Sequence, residues 1–406
     1  MTTLSLRALR AVEAVTEAGG ASQAALALHQ SPSAVTRAVQ GAEQALGVAL
    51  FERGARGMVA TAACQTLALR VGRAMQALQV AAQGLRQRGA PASVASLPRL
   101  ASDALLHALV ARAAHATEAA AAQSLGLSQP ALHQALRRLE HAAKTQLFER
   151  TRSGTRLNES GEWLLQQAKI ALAEIRIGHE ELARWRGQGS SQLAIGSLPM
   201  ASDVLVPQAV ALVLAQEPAL RITVKDGTYE SLTQLLRSAD IDFMVGPLRG
   251  ADAASDLEEE TLYVDRFVAV VRRGHPLLHS GRRASLRRLA PFPWIGPLPG
   301  TPAHAVFERL FAQAGLEAPT VALRAHSPAV VRSVLLAGDH VALLSPLQVQ
   351  AEVRSGLLAC ASGPLPGSER AIGITQRRDA LASLACRTAL TALRRVTADA
   401  LAGLRS

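Results

Sequence analysis

Apolar residues recur at three- and four-residue intervals through the first part of the chain, and that spacing predicts helices. Leu6, Leu9, Val12 and Val15 mark a first helix, ended by Gly19-Gly20. A short helix is expected over roughly Gln23 to Leu28. Ser31-Pro32 opens a third. Serine accepts a hydrogen bond from an otherwise unsatisfied first-turn N–H, and proline's missing N–H costs nothing there. Val35, Val39, Ala42 and Leu46 form its apolar stripe, and Gly47 stops it. Ser33, Thr36, Arg37 and Gln40 occupy the opposite face. Two helices joined by a tight turn, the second polar and basic on its open face, describe a helix-turn-helix.

The pattern returns 97 positions later. Residues 20–53 and 117–150 align without a gap, with 12 of 34 positions identical, among them Leu50-Phe51-Glu52-Arg53 against Leu147-Phe148-Glu149-Arg150. Alanine is abundant enough to match by accident; serine, phenylalanine, glutamate and arginine are not. The reading is a duplicated module, since two copies at this spacing do not make a solenoid. In the second copy Ser128 caps, and Leu132, Leu136, Leu139 and Ala143 form the stripe. Gln129, His133, Gln134, Arg137 and Arg138 face outward. A basic, glycine-containing stretch follows each Leu-Phe-Glu-Arg, with Arg53 and Arg56 in one copy and Arg150, Arg152 and Arg156 in the other. These are predicted hairpin wings whose arginines reach phosphates or a minor groove.

Long helices are expected at 62–88 and 160–186, with apolar Leu67, Val71, Met75 and Leu78 in one and Leu164, Ile170, Ile175 and Leu182 in the other. The connector, Gly89 to Pro98, is about ten residues and spans about 33 Å when extended. Antiparallel pairing of the two helices within one chain is therefore feasible. In the other arrangement each packs only on its own module.

Beyond Gly187-Gln-Gly-Ser-Ser191, a predicted hinge, the period changes. Leu193–Gly196, Leu220–Val224 and Ile241–Val245 read as strands, with helices near Asp203 to Leu214 and from Thr228 to Arg237. This βαβ rhythm predicts a parallel sheet with covered faces. Thr301-Pro302, Ser327-Pro328 and Ser345-Pro346 each predict a helix start at a strand end, the edge where open α/β sheets bind small ligands. Glu258-Glu259-Glu260 reads as a solvated loop.

The net charge is +11, spread unevenly. Residues 1–160 carry 17 basic and 9 acidic residues, so most of the excess sits on the repeated modules, where a polyanion such as DNA would be met. Cys64, Cys360 and Cys386 are far apart and lack CxxC spacing, which argues against a disulfide framework and a zinc site. His275 and His279 are separated by Pro276, unsuited to a helical metal pair, and no third ligand is near. There is no GxSxG, GxxxxGK[ST] or GxGxxG, so neither catalysis nor a cofactor is expected. No stretch of about 20 apolar residues spans a bilayer and the start lacks a signal-peptide core; a cytoplasmic place is expected, with no membrane partner.

The first copy supplies AALALHQSPSAVTR, LGVALFER, GARG and Thr61; the second supplies AAQSLGLSQPAL, RRLE, LFER, TRSGTRL and Gly161. These segments resemble the winged helix-turn-helix of the LysR-type transcriptional regulators. The first copy departs at Pro32-Ser33 and at Cys64, where the family has Gln-Pro and glycine. The second departs at His133-Gln134 and at Asn158, where it has Ser-Arg and threonine. LAIGSLP, ADIDFMVG, VVRRGHPL, PWIGPLPGTP and GDHVALLSP are similar to the same family's effector domain, a two-lobed fold like the periplasmic solute-binding proteins.

The resemblance implies two winged helix-turn-helix modules with long linker helices, then a two-lobed α/β domain. The boundaries are 1–61 for the first module, 62–99 for its linker helix and connector, 100–161 for the second module, 162–190 for its helix and hinge, and 191–406 for the effector domain. Lobe I would cover about 191–266 and 366–406, and lobe II about 267–365. DNA contacts carry over to Ser31, Ser33, Thr36, Arg37 and Arg53, and to Ser128, Gln129, His133 and Arg150, with Arg56, Gln134, Arg138, Arg152 and Arg156 beside them. Effector contacts carry over to Ser197, Met200, Thr228 and Thr301. The implied partners are promoter or operator double-stranded DNA, a small-molecule effector, and further copies of the chain as a dimer or tetramer. The competing reading is a solute-binding protein whose degenerate modules serve oligomerisation; it leaves the basic charge of those modules unexplained.

Overall fold

Ser31, Ser128, Thr301 and Ser327 each accept a first-turn backbone N–H, and each precedes a helix with proline at its first or second position. The computed structural model describes residues 5–54, 57–152, 154–187, 191–250, 253–325 and 327–405. It divides into two compact units: residues to Ser191 with Arg237–Asp240, and Gln192–Leu236 with Ile241–Ser406. The expected hinge falls partly outside the described residues.

In the first unit, α1 (Leu6–Ala18), α2 (Ala21–Ala27) and α3 (Pro32–Leu46) precede a hairpin of β1 (Phe51–Gly54) and β2 (Gly57–Ala60), and then α4 (Ala62–Gln87). A 3-10 turn and α5 (Leu97–Leu100) make the connector. The order then recurs with α6 (Asp103–Ala114), α7 (Glu118–Ser124), α8 (Gln129–Ala143), β3 (Phe148–Thr151), β4 (Gly154–Leu157) and α9 (Glu159–Trp185). The stripes read from the sequence are the buried ones: Val35, Val39, Ala42 and Leu46 on α3, and Leu132, Leu136, Leu139 and Ala143 on α8.

The long helices α4 and α9 pack against each other. Arg70 meets Glu174 and Glu181, while Arg88, eighteen residues on, meets Glu159, so the pair runs antiparallel. A Cβ on Gly178 would stand 3.2 Å from the Cβ of Arg70, so glycine there lets the backbones approach. The Arg10 guanidinium on α1 donates to the carbonyls of Arg99 and Ala101, at 2.7 and 2.8 Å, tying the connector to the first three-helix group.

The second unit holds β5 (Gln192–Ser197), α10 (Leu205–Gln216), β6 (Arg221–Asp226), α11 (Tyr229–Arg237) and β7 (Phe243–Pro247). After β8 (Leu257–Asp265) come β9 (Val268–Arg272), α12 (Leu286–Leu289), β10 (Trp294–Gly296), α13 (Pro302–Gln313), β11 (Val321–Arg324), α14 (Pro328–Ala337) and β12 (Val341–Leu344). The chain ends with α15 (Gln350–Arg354), β13 (Leu358–Cys360), β14 (Arg370–Arg377) and α16 (Leu384–Arg405). Two five-stranded sheets result, ordered β6-β5-β7-β14-β8 and β11-β10-β12-β9-β13.

Three sequence expectations change. The sheets are mixed rather than parallel: β5 pairs parallel with β6 and β7, but β14 runs antiparallel to β7 and β8, and β9 antiparallel to β12 and β13. β14 is the strand returning from the other lobe, a direction that local βαβ rhythm does not encode. Ser345-Pro346 does not open a helix; a turn follows and α15 begins at Gln350. The buried Ser345 hydroxyl donates to Asp265, 2.7 Å away, and accepts from Leu347 N at 3.3 Å, two residues on rather than three, while its own N–H donates to Gln348 Oε1. Glu258, Glu259 and Glu260 lie on β8, not in a loop. Glu260 takes both arms of Arg394 at 2.7 Å, and Glu259 accepts the N–H groups of Arg249 and Gly250.

Candidate DNA-reading and effector-binding sites

The two helix-turn-helix units are held by matching bonds. Glu43 Oε1 accepts from Leu50 N and Phe51 N at 2.8 and 3.1 Å, and Glu140 Oε1 accepts from Leu147 N at 2.9 Å. Each carboxylate thereby ties its helix, α3 or α8, to the start of the hairpin that follows. The turn before each recognition helix contains a left-handed residue, His29 at φ 52° and Gly126 at φ 66°. A Cβ on Gly161 would run into the Leu147 carbonyl, which explains glycine there. The equivalent Cys64 is buried, with its Sγ 3.2 Å from Thr16 Oγ1.

On α3, Ser31 and Ser33 share a 3.1 Å hydroxyl contact, Thr36 Oγ1 donates to the Pro32 carbonyl, and Arg37 is exposed. On and before α8, Ser128, Gln129, His133, Gln134, Arg137 and Arg138 are all exposed. His133 lies 3.4 Å from Glu118 on α7. Arg150 and Arg152 are exposed on the second wing, where Arg156 pairs with Glu149 at 2.6 Å. Arg56 and the side chain of Arg53 lie outside what is described. The exposed polar and cationic groups on α3 and α8, with Arg150, Arg152 and Arg156 on the second hairpin, are chemically complementary to base edges and phosphates.

A cavity of about 450 Å³ opens in the second unit, between its two sheets. Its walls follow the C-terminal ends of β5, β6 and β7 on one side and of β10 and β11 on the other, the edge where α/β sheets take ligands. Met200, Thr228 and Thr301 line it. Ser197 does not: it is fully buried, and its hydroxyl meets Ser202 at 2.7 Å. Thr228 and Thr301 are also caps, each accepting a first-turn N–H at 3.2 Å, so the positive ends of α11 and α13 face this space.

Three polar lining residues, Arg249, Gln348 and Arg370, carry no sequence motif. Arg249 follows β7, stacks over the Tyr229 ring at 4.3 Å, and approaches Glu230 at 3.4 Å. Arg370 is neutralised by Asp265 through bonds of 2.9 and 2.7 Å and lies over Phe267. Gln348 donates to Asp203, which also takes Arg332 at 3.1 Å, so these groups clasp the two lobes together. Burial pushes the Asp203 carboxyl above its ordinary pKa, and the bonds from Gln348 and Arg332 pull it partly back. Position after a strand end was the one signal for Arg249; the others depend on the fold closing. No cluster of metal-ligating side chains exists among the described residues, and His275 is buried against Phe292, its Nδ1 accepting from Leu277 N.

The profile of the bacterial regulatory helix-turn-helix protein, lysR family, matches residues 6–65 and 104–162, and the LysR substrate binding domain matches residues 186–398. The chain belongs to the LysR family of transcriptional regulators. The regulator is similar to the HTH-type transcriptional regulator GalR of Pseudomonas putida, 33% identical over 97% of this chain and 98% of that one. The uncharacterised HTH-type transcriptional regulator YdcI of Escherichia coli is 28% identical over 71% of this chain and 94% of its own, leaving over a quarter of this chain unmatched. In fold the regulator resembles full-length OxyR of Pseudomonas aeruginosa (TM-score 0.53, 20% identity, 73% of this chain and 94% of that). CbnR complexed with its target DNA is similar to the same degree (TM-score 0.52, 20% identity, 72% and 99%). A DNA-binding regulator with an effector-binding domain, not an enzyme, is what this LysR-family chain is. No single helix among the described residues is long and apolar enough to cross a membrane.

Proposed function

We propose that the regulator carries its DNA-reading module twice, by duplication, and that both copies meet promoter DNA in the cytoplasm. The observation that carries this reading is the paired bonding of Glu43 to Leu50 and Glu140 to Leu147, at the same place in two identically ordered units. A degenerate spacer would have no need to keep the carboxylate that fixes its wing. The contacts to bases and phosphates are assigned to Ser31, Ser33, Thr36, Arg37, Arg53 and Arg56, and to Ser128, Gln129, His133, Gln134, Arg138, Arg150, Arg152 and Arg156.

The effector is a small anion with an apolar body. Arg249, the capped starts of α11 and α13, and mostly apolar walls around Met200 and Leu298 favour that chemistry, with Thr228 and Thr301 as hydroxyl donors. Effector in the cleft acts on the lobe clasp at Asp203, biasing one arrangement of the domain over another. Two chains associated through their effector domains would present four readers.

Sequencing the genomic fragments that the full-length chain retains is the test. Enrichment of promoter tracts, lost on Arg37→Ala combined with Arg138→Ala, is expected. Uniform retention of DNA would remove the reading. A panel of small carboxylates should contain one that raises the melting temperature of the full chain but not of Arg249→Gln.

A further inference from the structure

The paired long helices are chemically unlike. α4 contains Arg70, Arg73 and Arg86 and no acidic residue; α9 supplies Glu174 and Glu181. Arg70, 2% exposed, donates to Glu174 at 3.0 Å and to Glu181 at 2.7 Å, and Arg73 holds the other oxygen of Glu174 at 3.0 Å. Two copies of α4 set against each other would bury Arg70 with no carboxylate across from it. Two copies of α9 would bury Glu174 without Arg70. An isolated buried charge is strongly penalised, so the network favours α4 against α9 and rejects two copies of α4, which has no carboxylate to offer Arg70.

The ends of the pair are equally defined. Gly47, at the end of α3, lies against Arg186 just beyond α9, so the first three-helix group sits at the end of the pair where α4 begins. At the other end Arg88 meets Glu159 and stacks over Trp163, where α9 leaves the second wing. Twenty-six residues of helix separate those ends by about 39 Å, close to the 34–36 Å of one DNA turn that separates half-sites read by paired helix-turn-helix units. An antiparallel pair relates its two ends by an approximate twofold. The exposed faces at those ends differ: Ser33, Arg37 and Gln40 on α3, but Gln129, His133 and Arg137 on α8.

We propose that one chain is a complete two-reader unit, matched to a duplex whose two inverted half-sites differ in sequence. This rests on the reading that both modules meet DNA. The test is selection of a randomised 40-base-pair duplex pool by the full-length chain, repeated with Arg37→Ala and Gln129→Ala. The expected consensus holds two unlike half-sites about one turn apart. Each substitution should flatten preference in one half only, by about tenfold, and in different halves. Both residues are exposed, so unchanged melting temperatures will show that each variant folds. A palindromic consensus, loss of the same half by both substitutions, or a single enriched half-site would overturn the inference while DNA reading stands. Enrichment of no duplex at all would overturn both.

Discussion

Trp163 on α9 fills the notch that Gly84 leaves on α4. The indole N–H donates to the Ala81 carbonyl at 3.2 Å, and a Cβ at position 84 would overlap the ring. In an exposed helix Gly→Ala stabilises by up to about 1 kcal/mol. Here the sign should reverse. Gly84→Ala is expected to lower stability by about 1–3 kcal/mol through overpacking, and Trp163→Leu in the same chain should restore part of the loss. Urea unfolding of the three variants measures this. A stabilised Gly84→Ala would mean that the two helices do not meet there.

Arg70 holds two carboxylates in the same interface. Arg70→Met leaves Glu181 facing an apolar side chain and Glu174 with Arg73 alone, and should cost about 3 kcal/mol. Adding Glu174→Leu and Glu181→Met should return most of it, because hydrophobic replacement of the buried charges is tolerated and Arg73, which is partly exposed, can turn to water. Chemical denaturation of the single and triple variants decides between them; an equally unstable triple variant would place the damage in packing rather than charge.

Glu13 on α1 gives the first unit a pH dependence. Burial, with Glu17 adding to it and Arg10 opposing it, raises its carboxyl from the ordinary 4.5 to about 7. The folded chain therefore binds this proton more tightly than the unfolded chain between those values. Stability is fullest below pH 4.5 on this account and falls as pH rises through 7. Glu13→Gln should flatten the melting-temperature profile between pH 5 and 8 and raise it at pH 8. An unchanged slope would show that the carboxyl is solvated.

Thr301 has two jobs, capping α13 and lining the cavity. Thr301→Val should lower stability by about 1 kcal/mol as a lost cap and also abolish the melting shift given by the stabilising carboxylate. Thr301→Ser keeps the cap and should keep the shift. Retention of the full shift in Thr301→Val would remove the hydroxyl from ligand contact.

The helix stripes were legible because burial of every third or fourth residue leaves its mark directly in the letters, as Val35, Val39, Ala42 and Leu46 show. Caps at Ser31, Ser128, Thr228, Thr301 and Ser327 were legible for the same local reason. Ser345 shows the limit: its dipeptide resembles the others, but its hydroxyl donates to Asp265, 80 residues earlier, and accepts from Leu347 N in a turn instead of capping a helix. The cavity was half legible. Met200, Thr228 and Thr301 follow strands in the sequence and line it, while Arg370 arrives from a returning strand and Ser197 turns into the core. The register of α4 on α9 was not legible at all, because Gly84 and Trp163 are 79 positions apart and neither belongs to a repeating pattern.

The connector between α4 and α6 sets how the pairing of the long helices depends on protein concentration. Helices that pair between two separate chains come apart on dilution, with a midpoint set by their dissociation constant. Helices joined by a short tether meet at an effective concentration in the millimolar range however few molecules there are. The pairing of Arg70 with Glu174 is thus insensitive to expression level, and a related regulator in the same cell has no vacant long helix with which to form a mixed pair.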